Sequence, residues 1–162
     1  RSALTALHAL MRTRAMDKRY LAGVAGRFRN ELQRVSLALA KRVDKAGDKR
    51  VSVSEAGQEA QTVFRRLARG AEFSLLEAEL LTGRTHQIRV HFQHLGFALV
   101  GDKIYGGSGN LRLKTQTNYT APRQMLHAYS LSFKHPRSGE LISCTSPWPD
   151  DFQQAVLLLR KR

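Results

Sequence analysis

The stretch "EFSLLEAELL" sets Leu76, Ala78 and Leu80 on one side of an extended chain and Glu77 and Glu79 on the other. Side chains of a strand alternate between two faces, so this pattern predicts a strand with one apolar face to bury. The same period of two recurs in "RVSLALAK" and "KRVSVS", which flank a charged turn centred on Ala46-Gly47-Asp48. "KRYLAGVAG" places Tyr20, Ala22 and Val24 on one side and is ended by Gly26. "QTVFRRLA" joins "EFSLLEAELL" through Arg69-Gly70-Ala71, and "MLHAYSLSFKH" joins "ELISCTS" around "PRSG". Connections this short pair consecutive strands antiparallel.

Three segments have helical spacing instead. "SALTALHALMRTR" carries Ala3, Leu4, Leu7, Leu10 and Met11, with Ser2 as N-cap. After Thr82-Gly83, Ile88, Phe92 and Leu95 form a stripe that Gly96 terminates. Pro149 and Asp150 open a last helix running through Leu159 into a basic tail. "GGSGNLRLKTQTNYTAPRQ" has no period and is expected to be a long loop. The fold class predicted is α+β, a mixed, largely antiparallel sheet with a few flanking helices. At 162 residues, a single domain over 1–162 is expected.

Charge narrows the function. Lys and Arg total 27 against 13 acids, a net of +14, with the surplus in the first fifty residues and beyond residue 100. Such a field favours a polyanionic partner, either nucleic acid or an anionic membrane surface. No segment combines a Lys/Arg face with a bulky apolar one, and no apolar run is long enough to span a bilayer, so no membrane partner is expected. Charge alone would also suit a helix-turn-helix DNA-binding domain, which would be mostly helical. The single cysteine, Cys144, sits in a strand-like stretch expected to be buried. It fits a reducing, cytoplasmic location. Nothing in the pattern calls for an obligate protein partner.

The segment "LLTGRTHQIRVHFQHLG" gathers two arginines, two glutamines and three histidines, without an acid. If its helix starts near Thr85, Arg84 lies just before it and Arg89 one turn in. Helix amides and guanidinium forks together make an anion site. The alternative is a pair of surface arginines on an ordinary helix. His86, His91 and His94 make a poor metal set, because His86 lies roughly 140° around the helix from His91. No HExxH or CxxC supports them, so no metal is expected. There is no GxSxG nucleophile, and "GDKIYGGSGN" lacks the ending of a Walker loop. Tyr20 is a candidate for stacking on a flipped nucleobase. The rival reading puts it in the core.

Several pieces, in order, resemble one family: "ALTALH", "DKRYLAGVAG", "AGQEAQT", "LLTGRTHQIRVHFQHLGFALVGDKIYGG", "MLHAYSLSFKHPRSGE" and "SPWPDDF". The family is the RluA-like pseudouridine synthases of large-subunit ribosomal RNA. "AGQEAQT" departs from its pattern, with Gln58 where a lysine is usual. The resemblance implies isomerisation of selected uridines in ribosomal RNA, without a metal or organic cofactor. By position, Arg89 matches the arginine that pairs with an essential aspartate, and Tyr20 the tyrosine that stacks on the target base. Ile88 would wall the pocket, and Arg84, His86 and Gln87 would meet substrate. Asp102, in the GDxxYG turn, is expected to make structural hydrogen bonds. The family's aspartate lies in an HRLDxxTSG segment ahead of the first helix, which does not occur in these residues. The chain is therefore expected to be the C-terminal part of a catalytic domain, inactive alone, with an exposed sheet edge. A non-catalytic RNA-binding module built on the same fold is the alternative.

Overall fold

The computed structural model describes residues 2–106 and 120–159. Six strands form one sheet: β1 (Met16–Ala25), β2 (Leu32–Ser36), β5 (Gln61–Arg69), β6 (Phe73–Leu80), β7 (Leu126–Lys134) and β8 (Leu141–Thr145). Their order is β2-β5-β6-β1-β7-β8, and every pairing between them is antiparallel. The expected mixed character is thus not seen among the described strands. β3 (Leu39–Val43) and β4 (Lys49–Val53) form a separate hairpin. Its turn forms because Asp44 Oδ1 accepts the amides of Ala46 and Asp48, while Gly47 takes a positive φ.

Register turns the alternating sequence into two faces. Tyr20 lies opposite Ala78 and Ala22 opposite Leu76, so the small and apolar members of β1 and β6 share one side. Helix α2 (Gln87–His94) covers that side. Ile88 and Phe92 enter a cluster with Ala22, Val24, Phe64 and Leu76, and Tyr20 packs against it. Phe92 stacks on Phe64 with ring centroids 4.0 Å apart, an arrangement worth about 0.5–1.5 kcal/mol beyond area burial. On the opposite side, α3 (Asp150–Leu158) sets Phe152 and Ala155 against Leu21, Phe73, Leu75 and Met125. Gly96, at φ +81, ends α2 as its position predicts.

The first helix and the last strand lie at the surface. Helix α1 (Ala3–Arg12) forms, but none of its residues is buried, and Leu4 and Met11 stand exposed. Cys144 is exposed rather than buried, because β8 is an edge strand with β7 as its only neighbour among the described strands. A six-stranded sheet also rules out a helix-turn-helix domain. The expected loop falls largely on residues 107–119, which lie outside the described residues, as does the basic tail. No described helix is long and apolar enough to cross a membrane.

Candidate active site

Helix α2 begins at Gln87, two residues later than its spacing predicts, because His86 adopts a left-handed conformation with φ 53. That turn separates the two arginines. Arg84 stays exposed and donates from Nε to the Glu59 carbonyl at 2.9 Å. Arg89, in the first turn of the helix, points inward and is 9% exposed. The shared anion site expected from Arg84, Arg89 and the helix amides is therefore not assembled.

Arg89 already holds one acid within this chain. Its Nε and Nη2 each reach one oxygen of Asp102 at 2.8 Å, a bidentate fork on a carboxylate that is 1% exposed. Asp102 Oδ1 also accepts the amides of Ile104 and Tyr105. Burial alone would raise the Asp102 pKa, but the Arg89 hydrogen bonds, the two amides and the guanidinium charge outweigh it, and the net direction is down. The Tyr105 ring lies beneath the guanidinium, 5.0 Å from centroid to Cζ. Gly101 makes this turn possible: its φ is +80, and a Cβ there would fall 2.1 Å from the Arg123 carbonyl oxygen.

Gln87 is likewise internal. It is 2% exposed. Its Oε1 accepts from the Thr82 hydroxyl and the Arg84 amide, and its Nε2 donates to the Gln61 carbonyl and to Thr62 Oγ1. With every amide position engaged, Gln87 fastens the Thr82–Arg84 turn to β5 and has nothing left to offer a substrate. The chain of bonds continues from Thr62 Oγ1 to His91 Nδ1, and from His91 Nε2 to the Leu37 carbonyl. Because Leu37 can only accept, His91 Nε2 carries a proton, and burial favours the neutral ring.

Burial lowers the His91 pKa below its ordinary 6.5, against an opposing contribution from the Leu37 carbonyl. Desolvation lowers that of His86 too, aided by the Arg89 charge. A histidine held neutral in the fold but free to protonate when unfolded favours the unfolded state in acid. Both contributions to stability are thus complete above pH 6.5 and shrink as pH falls below it. The thermal midpoint is expected to drop by several degrees between pH 7.5 and 5.5, and less in a His91→Gln variant. A flat midpoint across that window would refute this.

His86 Nδ1 hydrogen-bonds the Tyr105 hydroxyl at 2.8 Å, and that oxygen accepts the Val51 amide. His86 therefore links the α2 cap to the β3–β4 hairpin. Ile88, 4% exposed, belongs to the apolar cluster against which half-buried Tyr20 packs. The structure brings Tyr20 and Ile88 to the same side of the sheet, and places Arg89 beside Ile88 in the first turn of α2. It leaves Arg84 outside and Gln87 beneath. Among the described residues, no three of His, Cys, Asp and Glu converge as a metal-ligand set. The Arg89–Asp102 pair is the feature that spacing missed. The two lie on different elements, and only the GDxxYG turn marked the aspartate as structural.

A tyrosine strand crossing an antiparallel sheet beneath a GRTHQIRVH helix defines the class. The chain belongs to the RNA pseudouridylate synthase family, which its residues 1–94 match. Over 160 residues it is 36% identical to the ribosomal large subunit pseudouridine synthase C of Escherichia coli (strain K12), covering 99% of this chain and 50% of that protein. The synthase of the same name from Yersinia pestis is 36% identical over 162 residues, again across 99% of this chain and 50% of the other. The chain thus spans about half the length of the curated relatives it matches. Human RNA pseudouridylate synthase domain containing 1 shares the fold, with a TM-score of 0.73 at 24% identity, covering 98% of this chain and 71% of that one.

Proposed function

We propose that this chain forms part of the active site of an enzyme that isomerises uridine to pseudouridine in large-subunit ribosomal RNA. The observation that carries this reading is the placement of Tyr20 against the apolar cluster that holds Ile88, inside the stretch that matches the family. The reaction breaks an N-glycosidic bond, turns the uracil in the pocket and joins it to the ribose through carbon. Extruding the base costs a few kcal/mol. A stacking ring on a rigid strand and contacts to phosphates offset that cost. Tyr20 stacks on the uracil, and its hydroxyl is available for proton removal. Ile88 walls the pocket. Arg89, held by Asp102 through Nε and Nη2, presents its remaining nitrogen to the essential carboxylate and favours its ionised form.

Asp102 itself is sealed on Arg89 and two amides, so it is not assigned that catalytic role. We place the essential carboxylate in the part of the longer protein that corresponds to the unmatched length of its relatives. No metal or organic cofactor enters this scheme, and RNA is the sole partner it requires, at a cytoplasmic site. His86 is assigned to orienting the α2 entrance beside the substrate, and Arg84 to its phosphates. A net charge of +14 supports an RNA partner.

The test is to map pseudouridines in large-subunit RNA from a strain lacking the gene, and to restore the protein as wild type or as Tyr20→Leu. At least one pseudouridine should vanish on deletion, return with the wild type and stay absent with Tyr20→Leu. An unchanged map from the deletion strain, with RNA binding intact, would replace the enzyme with the non-catalytic RNA-binding module.

A further inference from the structure

A groove of about 410 Å³ opens between the end of α1, the start of β1 and the Thr82–Arg84 turn. Four cations line it: Arg12, Arg14, Lys18 and Arg84. Only Arg14 has a carboxylate partner among the described residues, Glu59 at 3.1 Å. Arg84 spends its Nε on the Glu59 carbonyl oxygen, which brings no neutralising charge. Lys18 is half-buried, and its ammonium lies 3.2 Å from the point where a Cβ on Gly83 would stand. A side chain at Gly83 would crowd that ammonium, so the glycine leaves Lys18 room at the turn.

The position of Lys18 gives the groove its meaning. Lys18 and Tyr20 are two residues apart on β1 and so share a face, about 6.6 Å apart along the strand. β1 includes Lys18, which pairs Leu131 of β7, and its pairing with β6 runs without interruption from Arg19 through Ala25. The bulge opposite it falls on β7, where Ser130 pairs Arg19 and Ala128 pairs Tyr20. A nucleotide stacked at Tyr20 would therefore set its own backbone beside Lys18.

We infer that this groove is a phosphodiester site, in which Lys18, Arg84 and the Gly83 backbone hold a phosphate of the RNA next to the base stacked on Tyr20. The inference rests on the RNA reading above and gives it a specific contact. An unpartnered, half-buried ammonium is costly to keep charged, and burial holds the Lys18 pKa below its ordinary value. An arriving phosphate would reverse that cost. Glu59 sits at the rim, tied to Arg14 and to Gln61 Nε2, so the groove keeps a net positive charge.

The experiment measures binding of a fluorescently labelled oligouridylate to the whole protein across a series of salt concentrations. Lys18→Met should weaken binding and make the slope of log affinity against log salt shallower by about 0.7, one single-strand phosphate contact. Lys18→Arg should keep the slope, and Arg137→Gln, on the β7–β8 turn and outside the groove's lining, should leave it nearly unchanged. An unaltered slope in Lys18→Met, with the wild type binding in a salt-dependent way, would overturn the phosphate site alone. Failure of the wild type to bind at all would overturn the RNA reading with it. If Lys18→Met does not fold, titrating the unaltered protein with inorganic phosphate decides the matter. The Gly83 and Arg84 amide resonances should shift and saturate, and no shift there would overturn the site.

Discussion

Replacing Asp102 with alanine is expected to destabilise the protein by about 3–5 kcal/mol, the usual cost of removing one partner from a buried ion pair. Arg89 would be left charged in a site that is 9% exposed, and the amides of Ile104 and Tyr105 would lose their shared acceptor. Since a domain is stable by only about 5–15 kcal/mol, such a loss consumes a large part of the total. Asp102→Asn should cost less, because its carbonyl can still accept the two amides. Urea unfolding of the two variants beside wild type measures this. A loss below about 1 kcal/mol for Asp102→Ala would mean that Arg89 finds other company, and the pair would not be what fixes its direction.

Gln87→Leu should cost about 3 kcal/mol or more, although the two side chains are similar in size. The change leaves the Thr82 hydroxyl hydrogen and the Arg84 amide without an acceptor, each at about 1–3 kcal/mol where water cannot reach. It also takes one of two partners from the Gln61 carbonyl, which keeps the Leu81 amide, and from Thr62 Oγ1, which keeps His91. The alternative reading, a glutamine that contacts substrate, predicts the opposite pattern: unaltered stability and weaker RNA binding. Thermal melts and RNA titrations of the same variant separate the two. Unchanged melting would return Gln87 to the substrate side.

Most strands were legible in the sequence, and the reason is local. In "EFSLLEAELL" the period of two is imposed by backbone geometry, and the register of Leu76 with Ala22 then follows from one face having to be dry. The hairpin turn at Gly47 and the helix stop at Gly96 were legible for the same reason, since each depends on a φ that glycine tolerates. Helix α1 was legible as a helix, but its burial was not. Spacing describes a stripe and says nothing about whether a partner covers it. The exposure of Cys144 failed likewise, because an edge strand and a central strand can carry the same alternation.

The candidate site divides along the same line. By itself, the sequence singled out the candidates: Tyr20 on a strand, and Arg84, His86, Gln87, Ile88 and Arg89 in one short run. It also determined the basic charge that suits RNA. Only the tertiary structure decided which way each of them points. The left-handed turn at His86 rotates Arg84 outward and Arg89 inward. Asp102, thirteen residues on, then claims Arg89, and Thr62, from another strand, claims both Gln87 and His91. Periodicity cannot report such pairings. They join groups distant along the chain, and they exist because a polar group removed from water must find its partner wherever the fold has placed one.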